Sequence, residues 1–150
     1  MRRAVELGMA GVLLAATPAH AATCLDRETI TAARVHEFET MMMAVTLRCK
    51  AIGTDIGPVI EAMMGTHRPI FAAADRRMRA FFAPQKRAYE SYSTQLGNRY
   101  GGGATDTANC HRFEKVAREL AGKPGVTSLG RVVFAMIDKP RIVGAVCAKP

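Results

Sequence analysis

Residues 29–52 read TITAARVHEFETMMMAVTLRCKAI, and apolar side chains return at Val35, Phe38, Met42, Val45, Cys49 and Ile52. Steps of three and four residues lay one stripe along a helix. The stripe carries a cysteine, so this helix is expected to be both core and staple point. The fold class that follows is all-α: an up-and-down bundle of four or five helices held by two disulfides.

The segment before this helix has the three parts of a secretory signal peptide: Arg2 and Arg3, an apolar run from Leu7 to Ala16, then Pro18 and Ala19-His20-Ala21. Cleavage after Ala21 is expected, giving a signal peptide over 1–21 and a single helical domain over 22–150. At about ten residues the apolar run is short of the roughly 20 that a spanning helix needs. Thr23 and Ala22 before Cys24 do not make a lipoprotein pattern. Export to the periplasm or the medium places Cys24, Cys49, Cys110 and Cys147 where disulfides persist. No Cys-x-x-Cys pair suggests a thioredoxin-like redox site or a zinc knuckle.

Beyond the first helix, Lys50 and Gly53 mark its end, and Thr54-Asp55 with Pro58 opens the next. Apolar spacing then continues from Ile56 to Phe82 across Gly65-Thr66-His67-Arg68-Pro69. Pro69 removes a backbone donor, so this stretch is either two helices or one kinked helix. A helix over Gln85 to Arg99 ends in Tyr100-Gly101-Gly102-Gly103. Those glycines follow a helix with no lysine near, which reads as a linker and not a phosphate loop. Asp106 or Thr107 caps a helix over Ala108 to Ala121, closed by Gly122 and Pro124. Thr127 or Ser128 starts a last helix to about Asp138, although its Val132-Val133-Phe134 core also suits a strand.

Four cysteines allow three pairings. A continuous helix from Thr29 to Cys49 separates its ends by about 30 Å, whereas a disulfide holds its Cα atoms within roughly 7 Å. Cys24 is therefore not expected to reach Cys49. In an up-and-down bundle the glycine linker returns Cys110 to the end that carries Cys49. The expected pairs are Cys49 with Cys110 and Cys24 with Cys147.

The net charge is +8, falling to +7 once Arg2, Arg3 and Glu6 are removed. An exported basic protein meets anionic envelope components before nucleic acid, so no nucleic-acid role is read. Arg68, Arg76, Arg77, Arg79, Lys86 and Arg87 form the densest basic cluster, with Phe81, Phe82 and Tyr89 nearby. They are candidates for an anionic surface or an acidic protein partner. Methionine is plentiful in the mature chain, and thioether sulfur is a soft ligand for Cu(I). His36 and Met43 lie seven residues apart on a second stripe of the first helix, with Glu39 and Thr40 between, as a candidate metal or small-ligand face. Core filling by Met42, Met63, Met64 and Met78 is the plainer use of the rest.

Thr107-Ala108-Asn109-Cys110-His111 resembles the c-type haem motif with its first cysteine replaced by threonine. One thioether is lost and Cys110 is needed for a disulfide, so no cofactor is read. Ser91, Ser93 and Ser128 sit in no nucleophile elbow, and catalysis finds little local support. MMMAVTLRCK, followed by YSTQLGNRYGGG and Cys110, resembles a group of small uncharacterised secreted four-cysteine helical proteins of Gram-negative bacteria. The resemblance implies the architecture and transfers no catalytic residue. The reading that follows is a binding or cell-envelope interaction protein, ahead of a copper or small-ligand binder and of an enzyme without a recognisable motif.

Overall fold

The computed structural model describes residues 24–148; the expected signal peptide and its cleavage site lie outside them. Among the described residues are six helices and no strand: α1 (Arg27–Ala51), α2 (Gly57–Thr66), α3 (Arg68–Phe82), α4 (Lys86–Gly101), α5 (Thr107–Ala121) and α6 (Val126–Met136). The stretch from Ile56 to Phe82 is two helices, separated at His67. No helix here is long and apolar enough to cross a membrane.

Helix α1, about 37 Å long at 1.5 Å per residue, is the centre of the bundle. It packs most extensively on α3 and α4 and also meets α2, α5 and α6, while α2 and α5 form a second close pair. Contact on several sides explains why α1 buries more than the stripe read from its sequence. Phe38, Met42, Val45 and Cys49 are fully buried, and Ala33, Met41 and Glu37 join them. Opposite them lie Met63 of α2, Met78 of α3, Leu96 of α4, Leu120 of α5 and Val133 of α6. Each large apolar side chain removed from water contributes about 1.5–3 kcal/mol.

One residue of the expected core stripe is not there. Ile52 is 45% exposed, because α1 stops at Ala51 and Ile52 caps it, its N–H turning back to the Cys49 carbonyl and the Gly53 N–H to that of Lys50. Gly53 then takes φ +82°, a left-handed conformation open to glycine at little cost. Phe134 is half exposed, since Val133 takes the inward position of α6; the Arg34 guanidinium covers the Phe134 ring at 4.4 Å.

Both disulfides pair as expected. Cys49 joins Cys110 with Cα atoms 5.8 Å apart, tying the end of α1 to the start of α5. Cys24 joins Cys147 at 4.9 Å. Beside that bond the two ends of the described chain run together: the Leu25 N–H donates to the Ala145 carbonyl (2.7 Å), and the Cys147 N–H donates to the Leu25 carbonyl (3.1 Å). The tail after α6 is further held by buried Glu37, whose Oε2 accepts from the Arg141 N–H at 2.7 Å. Its Oε1 accepts from the Tyr100 hydroxyl at 2.6 Å. A buried carboxylate is costly without such partners, and here one side chain ties α1, α4 and the tail.

Candidate functional site

A second stripe of α1, distinct from its core stripe, runs His36, Glu39, Thr40, Met43, Thr46, Leu47. It forms one wall of an open groove of about 1020 Å³. Gly57, Ile60, Glu61, Met64 and Gly65 of α2 form the second wall, and Arg68, Phe71, Ala72, Asp75 and Arg79 of α3 the third. Tyr89 of α4 closes one end. Each helix contributes at steps of three and four residues, so the groove is built from whole helix faces. Its volume is at the upper end of the range for small-molecule sites.

The apolar lining is Met43, Leu47, Ile60, Met64 and Phe71. The two threonines of α1 add little polarity, because Thr40 Oγ1 donates to the His36 carbonyl (2.9 Å) and Thr46 Oγ1 to the Met42 carbonyl (2.8 Å). Polar groups gather where α1, α3 and α4 meet. Asp75 accepts from Arg79 Nε at 2.8 Å and from the Tyr89 hydroxyl at 2.8 Å. Burial pulls the Asp75 carboxyl upward, but those two hydrogen bonds and the Arg79 charge outweigh it and hold the group below its ordinary range. The Tyr89 phenol is pushed up by burial and by donating to Asp75.

Glu39 faces the same region with no such partners. Burial and the Asp75 charge both raise its carboxyl above the ordinary value, and no hydrogen bond from a described residue opposes them. His36 packs at 6.0 Å from the Tyr92 ring and 6.2 Å from the Tyr89 ring. Its Nδ1 is buried without a hydrogen-bond partner. Burial lowers its pKa, with Asp75 pulling the other way, and the imidazole is neutral at pH 7.

The residues singled out in the sequence are partly brought together. His36 and Met43 do share the groove, two turns and about 10 Å apart along α1. Among the described residues no group of three or more His, Cys, Asp or Glu side chains is arranged to hold a metal ion. The basic cluster divides. Arg77 turns back to α1, pairing with Asp26 and lying 3.7 Å from Glu28. Arg79 is held by Asp75 and its guanidinium lies 4.9 Å over the Tyr89 ring. Arg68 lines the groove, Arg79 and Lys86 line a neighbouring hollow of about 690 Å³, and Arg76 and Arg87 are exposed outside both.

Glu61, Met64, Phe71, Asp75 and Tyr89 were not singled out as site residues. The signal within reach was the face of α1 itself, since Glu39 and Thr40 sit between His36 and Met43 and mark a mixed, outward stripe. No protein-family model matches this chain, and neither a curated protein nor a solved structure does.

Proposed function

We propose that this chain is an exported binding protein whose ligand lies in the groove between α1, α2 and α3. The observation that carries the reading is the groove itself: an apolar lining interrupted at one end by Glu39, Asp75, His36 and Tyr89. Small-molecule sites have this make-up, an apolar wall with a few placed polar groups. Export is supported by the signal-like leader and by two disulfides that use all four cysteines. A binding role centred on the basic cluster has less support, because Arg77 and Arg79 are already committed to carboxylates.

Gly65 makes the test clean. Gly65 lines the groove and a Cβ placed there meets nothing within 4 Å, so Gly65→Leu adds bulk to the groove wall without a clash and removes a glycine from a helix, where it costs about 1 kcal/mol relative to Ala. Titration with N-phenyl-1-naphthylamine, an uncharged dye that brightens in apolar sites, should give saturable binding to the native chain. Gly65→Leu should weaken that binding at least tenfold with an unchanged or higher Tm. Equal dye binding by both proteins, or none by the native chain, defeats the reading. Intact mass of protein recovered from the periplasm, starting at Ala22 and lacking four hydrogens, checks export and oxidation together.

A further inference from the structure

The charge inside the groove is opposite to that of the chain. The protein is strongly basic, yet Glu39, Glu61 and Asp75 all line the groove. Of the two arginines there, Arg79 is occupied by Asp75. Arg68 lies seven residues from Asp75 on α3, about 10 Å along the axis, at the far end from the polar group. Neither Glu39 nor Glu61 has a side-chain donor among the described residues, but Glu61 is exposed to water whereas Glu39 is partly buried beside Asp75. An anionic head placed there would meet Glu39 and Asp75 as like charges. A neutral head would leave Glu39 without a counter-charge.

Given the groove as the binding site, we propose that its ligand is an amphiphile whose head is a protonated amine. The ammonium sits between the Glu39 and Asp75 carboxylates, and the apolar body lies along Met43, Ile60, Met64 and Phe71. An ammonium supplies three donors and no acceptor. It can therefore donate to Glu39 and share Asp75 with Arg79 and Tyr89. In a partly dehydrated groove the attraction is stronger than the same pair in bulk water. His36 contributes the flat, neutral wall beside the head.

The pH dependence has a definite sign. The amine requires Glu39 ionised, and that carboxyl holds its proton to higher pH than an ordinary glutamate. Affinity for the amine therefore falls as pH is lowered through the Glu39 titration. Asp75 is held low by Arg79 and Tyr89, burial lowers His36, and a proton gained by His36 would also repel the ammonium, so the sign is the same. Glu61 on α2 and Arg68 on α3 complete the charged lining, and Glu119→Gln, on the exposed face of α5 outside the groove, serves as the control.

The experiment is calorimetric titration of the native chain with octylammonium, 1-octanol and octanoate, which share one tail and differ only in head charge. Octylammonium should bind at least tenfold more tightly than octanol, and octanoate more weakly than octanol. Glu39→Gln should bring the amine to within twofold of the alcohol and flatten the pH dependence of that ratio. Glu119→Gln should keep the preference. Octanoate binding as tightly as octylammonium, or an amine preference that survives Glu39→Gln, overturns the proposal while the groove stands. Binding of none of the three overturns the groove reading and this proposal with it.

Discussion

Asp26 holds the start of α1 with both of its oxygens. Oδ1 accepts from the Thr29 N–H at 2.7 Å, an N-cap, and Oδ2 takes the Arg77 guanidinium arriving from α3. Hydrogen bonds from Thr29, then that from Arg77, pull its pKa down to about 2. A depressed folded-state value means the group stabilises the fold above its ordinary 3.8 and loses that contribution as pH falls toward 2. Asp26→Ala should cost about 1–2 kcal/mol from the cap alone, while Asp26→Asn keeps the cap and loses the charge. Thermal melts of both variants between pH 5 and pH 2 check this: the gap between native and Asp26→Asn should close at the acid end. An aspartate just ahead of a helical stretch is legible as one of its possible caps, because that signal is local. Glu37 is not legible, since it differs from Glu39 two residues on only through Tyr100 and Arg141, which are 63 and 104 residues away.

At the scale of elements, the break between α2 and α3 is a joint made with α5. His67 is fully buried and its Nε2 lies 2.9 Å from the Leu120 carbonyl; with a carbonyl as partner, that nitrogen carries the proton. Thr66 Oγ1 donates to the Ala121 carbonyl at 3.0 Å. The Ala121 carbonyl at the end of α5 thus finds its donor in the joint, and the Leu120 carbonyl, which already accepts from the Lys123 N–H at 3.1 Å, gains a second. Pro69 announced an interruption in the sequence, but whether it produced a kink or two helices depended on α5, more than 50 residues on. The helical form of α6 was open for a similar reason: a strand over Val132–Phe134 would need a partner, and the neighbouring extended tail pairs with Leu25 instead. His67→Phe keeps a ring against Phe71, now edge-on at 6.5 Å, and deletes the bond to Leu120. Denaturant unfolding should show a loss of about 1–3 kcal/mol, with faster hydrogen exchange at Phe71, whose N–H bonds to the His67 carbonyl. Unchanged stability would mean the joint does not depend on that bond.

Over the whole molecule, the two disulfides span 123 and 61 residues of sequence, and loop entropy alone values each at about 4–5 kcal/mol, slightly more for the longer. Packing reverses that order. Cys49 and Cys110 are wholly buried, whereas Cys147 is partly exposed, so removing the inner pair also leaves a void in the core. Cys49→Ala with Cys110→Ala should therefore lower Tm further than Cys24→Ser with Cys147→Ser, as scanning calorimetry would register. The architecture was legible because helix periodicity, caps and cysteine spacing are properties of short stretches. Only one wall of the groove was, because a site between three helices exists only once they are packed; His36 and Met43 could be seen, but Asp75 and Tyr89 acquire their roles from each other. The same cross-links carry a consequence for cleavage. Any single cut between residues 49 and 110 leaves Cys24 and Cys49 on one fragment and Cys110 and Cys147 on the other, so both bonds bridge the nick. A protease entering at the exposed glycines 101–103 would produce a two-chain molecule in which every groove residue, from His36 to Tyr89, stays on one piece.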